Sequence, residues 1–190
     1  MRPERDPAPA QGADPSYTFS PEEPADHAIG RSRGGLTTKI HALTDQRCSP
    51  LTVQLSAGQA GDNPMLWPLL TEHRNATHGV THGVTRTRFR LLADKAYSHN
   101  STRARLRTMK ISHTIPEKSD QIARRKAKGS SGGRPPAFDP ELYSRRNTVE
   151  RGFARLKQWR GIATRYDKYA LTYLGGVTLA AIVIHHRVRD

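Results

Sequence analysis

The chain has 190 residues, enough for one domain of ordinary size, and only 35% of them are apolar, so part of it is expected to build a modest core and part to stay outside one. Its net charge of +14 suits a polyanionic partner and leaves DNA, RNA and an anionic membrane surface open. A single cysteine, Cys48, excludes an intrachain disulfide and any argument for an oxidising compartment.

Residues 1–29 are rich in Pro, Ala, Asp and Glu, show no periodicity and read as a disordered leader without a signal-peptide core. The stretch GRSRGG at 30–35 reads as a flexible basic turn. Loose alternation at 36–43 (LTTKIHAL) and 51–55 (LTVQL), with a turn at 45–50, predicts a hairpin of two strands. Asp62 is placed to cap a helix over 64–73. Residues 77–84 repeat THGV in tandem. The spacing of His78 and His82 suits a metal on a helix, but Gly79 and Gly83 argue for a duplicated loop.

Further on, 89–93 (FRLLA) reads as a short buried strand ending at Asp94, 98–109 as a helix and 111–115 as a strand. Residues 121–136 read as a polar, Gly-rich basic loop, within a mobile stretch spanning 118–140. The segments 140–159 and 169–187 predict helices. The second is mostly apolar but falls short of the roughly 20 residues a membrane span needs, so it reads as a core helix, and no membrane partner is expected. Strands followed by alternating strands and helices give an α/β domain with a mixed sheet. Charge is uneven: residues 118–168 hold fourteen basic and five acidic residues, which puts the expected anionic partner against the C-terminal half.

The stretch 143–157 carries the chemistry. On one continuous helix, Tyr143, Arg146, Glu150 and Lys157 fall in a stripe about 60° wide. Leu142, Val149, Phe153 and Leu156 form an apolar stripe beside it. Geometry alone leaves two readings open. One is a solvated mixed-charge face, the commoner case. The other is a carboxylate holding a cation while Arg and Lys hold phosphate oxygens. The run Arg124, Arg125, Lys126 and Lys128 reads either as a solvated loop or as contact with DNA backbone. Lys39 and His41 share a strand face that either lines a phosphate cleft or is solvated.

The spacing Tyr143-x2-Arg146-x3-Glu150-x6-Lys157 resembles the signature of insertion-sequence transposases of the DDE type. The stretches GRSRGGLTTKIHALTD, LSAGQAGD, LLADKAYS, IPEKSDQIA, GGRPPAFD and RRNTVERGFARLKQWRGIATRYDK resemble one subgroup of that family, over roughly residues 25–187. The resemblance implies a ribonuclease-H-like fold in which two aspartates and a glutamate bind two Mg²⁺ ions, or Mn²⁺ in their place. It implies Asp94 as the second aspartate, Glu150 as the glutamate, and Lys157 beside them in catalysis. Tyr143, Arg146 and Lys157 would contact DNA near the cut, with Lys39 and the 124–128 cations as further contacts. The implied partners are double-stranded transposon ends and target DNA, and a second copy of the chain. The implied location is cytoplasmic, with the nucleoid.

The family's first aspartate finds no match. Asp6 and Asp14 each precede a proline, Asp26 follows no apolar run, and Asp45 sits at the hairpin turn. The expectation is therefore a partial catalytic domain over 30–190 that lacks the first core strand and is impaired alone. Either it is completed by an upstream-encoded part, or it is a remnant or inhibitor that binds DNA without cutting it. An RNA-binding protein fits the charge but not the Tyr–Arg–Glu–Lys stripe.

Overall fold

Two alternating segments fold into the expected hairpin. Strand β2 (Gly35–Thr44) pairs antiparallel with β3 (Pro50–Ala57), from Thr38 opposite Ala57 to Thr44 opposite Pro50. The Asp45 carboxylate closes the turn by accepting the Arg47 and Ser49 N–H groups at 2.8 and 2.9 Å. The computed structural model describes residues 26–80 and 89–187.

The basic stretch before β2 does turn, at Arg33–Gly34, but it enters the turn as a short strand. Strand β1 (Gly30–Ser32) pairs antiparallel with Gly35–Thr37. Gly35 makes this tight reversal with φ +106, a conformation that only glycine adopts without strain. Ser32 Oγ accepts the Gly34 N–H and donates to the Gly35 carbonyl.

Helix α1 (Asp62–Val80) begins at the predicted cap but runs past 73 and takes in Gly79. Thr77 stays in the helix and turns its hydroxyl back to the carbonyls of His73 and Arg74. The first half of the tandem repeat is thus helical, contrary to the loop expected from its glycines. His82 and the rest of the repeat lie outside the described residues.

Strand β4 (Arg90–Leu92) and strand β5 (Ser112–Thr114) are parallel, with helix α2 (Asn100–Thr108) crossing between them as a parallel pair requires. The expected basic loop is largely helix α3 (Ser119–Ala127), followed by a short 3-10 turn at Gly129–Gly132. Local chemistry explains the difference. Lys118 N–H donates to Gln121 Oε1, Asp120 sits in the first turn, and Arg124, Arg125 and Lys126 sit in the last, all matching the helix dipole.

The single helix predicted over 140–159 is two: α4 (Pro140–Ser144) and α5 (Asn147–Leu156). Asp139 caps α4 by accepting the Leu142 N–H at 3.0 Å. Between them the chain tightens. Arg145, Arg146, Thr148 and Val149 each donate to the carbonyl three residues back, a 3-10 spacing that resets the helix phase. Helices α6 (Arg160–Thr164) and α7 (Ala170–Arg187) complete the chain.

The α/β class is as expected, but one continuous mixed sheet is not formed. Among the described residues there is an antiparallel sheet in the order β1-β2-β3 and a separate parallel pair β4-β5. The apolar core is split the same way. One cluster joins Val53 and Leu156 to Tyr173, Val177 and Ile184 of α7, and the other joins Leu66 and Leu70 of α1 to Leu91, Leu106 and Ile115. Helix α7 is a core helix on one side only, since Leu171, Leu179 and Ile182 are exposed. No helix among the described residues is long and apolar enough to cross a membrane.

Candidate active site between the two sheets

The gap between the sheets is a cavity of about 780 Å³. Its walls include eight consecutive residues of β2, Leu36 to Leu43, and four at the end of β4, Leu91 to Asp94. Side chains on a strand point alternately to opposite faces, so a wall made of consecutive residues is a strand edge. Leu66 and Leu69 of α1 close one face, and Val149 and Phe153 of α5 close the other.

The cavity gathers residues distant in sequence. Asp94 follows β4 and caps the 3-10 turn at Lys95–Tyr97, one carboxylate oxygen accepting the Ala96 N–H at 2.8 Å. That bond fixes the side chain and leaves the second oxygen free of it. Glu150 comes from the first turn of α5, where Arg146 Nη2 reaches it at 3.0 Å. Arg146, Glu150 and Lys157 all line the cavity, and Lys157 ends α5 as its C-cap. Tyr143, expected in the same stripe, is turned away by the break between α4 and α5. Its ring packs on Phe138 with centroids 5.3 Å apart, and the Arg146 guanidinium lies 5.9 Å from its centroid.

Helix α5 is held close to the hairpin by size. A Cβ on Gly152 would stand 3.1 Å from both the Cys48 carbonyl oxygen and Thr44 Cγ2. Arg155 Nη1 adds a bond to the Arg47 carbonyl at 2.9 Å.

Lys39 and His41 do line the cavity, but both are engaged. Lys39 Nζ meets Asp62 at 2.9 Å and the Ala60 carbonyl at 2.8 Å. His41 is buried with Nε2 2.7 Å from Ser56 Oγ. Burial pushes its pKa below 6.5, Asp62 opposing and Lys39 adding to the shift. The 124–128 cations do not reach the cavity. Arg124 pairs with Asp120 and Arg125 with Glu117, while Lys126 and Lys128 make no ion pair among the described residues.

Asp62, Tyr97, Arg165 and Asp167 are among the further lining residues that the pattern did not single out for the site. Asp62 was legible only as a helix cap. Tyr97 follows Asp94 in LLADKAYS, and its phenol is pushed up to about 12 by burial and by Asp62 and Asp94, Arg146 opposing. It therefore stays a hydrogen-bond donor at neutral pH. Arg165 lies beyond α6 and ties three segments together. It donates to the carbonyls of His27 and Lys168 at 2.7 and 3.1 Å and to Thr38 Oγ1, and stands 5.0 Å from the Tyr173 ring centroid.

Two carboxylates on separate elements, beside Arg and Lys, offer hard oxygen ligands and phosphate-binding cations together. Mg²⁺ takes one or two carboxylates and fills its remaining positions with water and substrate oxygens, so Asp94 and Glu150 fit such an ion. Among the described residues no group of three His, Cys, Asp or Glu side chains is close enough to hold a metal by itself.

The chain is 31% identical over 149 residues to the transposase assigned to insertion sequence element IS6501 of Brucella ovis, covering 78% of this chain and 98% of that protein. No solved structure matches the chain. Residues 8–183 match the family described as Transposase DDE domain, a match that begins inside the segment set apart by composition as a leader. Similarity over this much of the chain means that the protein belongs to the transposase DDE-domain family.

Proposed function

We propose that this chain is the catalytic part of an insertion-sequence transposase that hydrolyses and transfers phosphodiester bonds at transposon ends, in a ribonuclease-H-like arrangement. The convergence of Asp94 and Glu150 on one cavity with Arg146 and Lys157 carries this reading. Asp94 and Glu150 would hold divalent ions, Mg²⁺ or Mn²⁺. When bound, the metal supplies an activated nucleophile and stabilises the leaving oxygen. Arg146 and Lys157 hold the scissile phosphate, and the Tyr97 hydroxyl donates to an oxygen near Asp94. Entry of phosphate between Arg146 and Glu150 would exchange their ion pair for charge-assisted bonds to DNA. Tyr143, Lys126 and Lys128 would touch the DNA outside the cavity.

Beyond the residues of β2 that pair with β1, the open edge of β2 and that of β4 line the same cavity, and a strand between them would satisfy both. In this reading an upstream-encoded partner supplies that strand and with it the third carboxylate. The alternative is DNA binding without cleavage by this chain alone, as a remnant or inhibitor.

The test is nicking of supercoiled plasmid DNA with Mg²⁺ or Mn²⁺, by this chain with and without the upstream-encoded part. Asp94→Asn and Glu150→Gln are each expected to lower nicking about a thousandfold or more while leaving duplex affinity within about threefold. Nicking that survives both substitutions would sink the assignment. A complemented protein that binds DNA and never nicks would leave the non-catalytic reading.

A further inference from the structure

The far end of β4 borders a second concavity of about 440 Å³ that shares no residue with the active-site cavity. Arg90, Arg103, Arg107, Lys110, Ser112 and His113 line it, and no carboxylate does. Four cations elsewhere are matched, Lys39 by Asp62, Arg124 by Asp120, Arg125 by Glu117 and Arg146 by Glu150. Arg90, Arg107 and Lys110 have no ion pair among the described residues. Part of this charge answers the dipole at the end of α2, which accounts for Arg107 but not for Arg90 on a strand or Arg103 beneath.

Arg103 is the telling residue. It is only 3% exposed, yet it forms part of the lining. Its Nη2 donates to the carbonyls of Ile115 and Pro116 at 2.9 and 3.2 Å, and its Nε donates to Ser98. Its Nη1 makes no hydrogen bond within the described residues. A buried guanidinium with a free edge, set beside Arg107, is an arrangement of like charges that an anion relieves. Burial lowers its pKa, with Glu117 opposing and Arg107 adding.

We infer that this concavity is a second DNA contact, built to seat a backbone phosphate of duplex DNA against Arg103, with Arg90, Arg107 and Lys110 around it. Arg90 and Asp94 are four residues apart on one extended run, about 13 Å, so a single DNA molecule can reach both sites. The Ser112 hydroxyl adds a neutral donor, and the His113 ring adds a further polar group. The inference rests on DNA being the partner proposed above. It adds a phosphate site that the Tyr–Arg–Glu–Lys stripe does not contain.

The test uses the full chain and two probes, a 20-base-pair duplex and inorganic phosphate, followed by the Arg103 Nε–H and His113 ring signals in NMR. The duplex is expected to shift both at micromolar concentration and phosphate only at millimolar. In parallel, duplex affinity is measured against salt for Arg90→Gln/Arg107→Gln and, as a charge-matched control, Arg31→Gln/Arg33→Gln. The first pair is expected to lower the log–log salt slope by about two and to weaken binding about tenfold, well beyond the control. Equal weakening by both pairs, an unmoved Arg103 signal, or saturation by phosphate at micromolar concentration would each overturn the inference. If the wild-type chain binds no duplex at all, the DNA partner itself fails. If it binds and ignores the Arg90/Arg107 pair, only this site fails.

Discussion

At the residue scale, His41 shows how the cavity wall sets a pH limit. Its pKa is lowered in the folded chain, so protons bind more readily to the unfolded one. Its contribution to stability is full above the ordinary value of 6.5 and is lost as the pH falls from there towards the lower folded value. Wild-type melting temperature should therefore drop below pH 6.5 more steeply than that of His41→Gln, measured in matched buffers. Identical slopes would mean that the Ser56 contact does not depend on the charge of His41. Tyr97 has the opposite sense. Its raised value favours the protonated phenol in the fold, so its contribution is lost as the pH rises from 10 towards about 12. Arg165 is a structural tie as well as a lining residue, since it bonds His27, Thr38 and Lys168 together. Arg165→Met should cost about 2–4 kcal/mol in urea unfolding, because several carbonyls lose a charged donor at once.

At the scale of elements, the decisive piece is α5, since it carries Glu150 from its first turn and ends at Lys157. Its seat on the β2–β3 hairpin depends on Gly152, whose missing side chain lets the helix approach the Cys48 carbonyl and Thr44. Gly152→Val puts branched carbons where even a Cβ is already tight. It should push α5 outward, lowering stability by about 1–3 kcal/mol and metal-dependent nicking more than DNA affinity. Gly152→Ala should be milder, a shift of a few tenths of an ångström. Normal nicking in the valine variant would show that Glu150 tolerates movement. The α4–α5 break explains why the Tyr143 to Lys157 stripe was only partly right. A helical wheel assumes one phase, and the 3-10 bonds at Arg145 to Val149 change it.

At the scale of the molecule, two sheets and two apolar clusters face each other across a cavity. Unpaired strand edges are sites for further pairing. From Thr38 to Thr44, the N–H groups of β2 that point to β3 should exchange slowly with solvent, and the alternate ones on the cavity side rapidly. Adding the proposed upstream strand should slow the second set. Uniformly slow exchange along β2 in the chain alone would mean that its edge is already covered.

Much of this protein is written locally. The hairpin follows from alternation and from the Asp45 turn, and Pro140 after Asp139 marks a helix start. The spacing of Arg146, Glu150 and Lys157 already resembles the signature of the family that the comparison shows, because that pattern depends on neighbours a few residues apart. Helix α3 was legible in principle from its capping and end charges, but composition alone suggested a loop. Tertiary structure decided the rest. That Asp62, Tyr97 and Arg165 share a cavity with Asp94 and Glu150 depends on contacts between elements far apart in the chain. So does the pairing that engages Lys39, Arg124 and Arg125 with nearby carboxylates. The open space between β2 and β4 belongs to no segment at all. It is set by which strands find partners, and backbone hydrogen bonding, unlike side-chain pattern, leaves no mark in the order of residues.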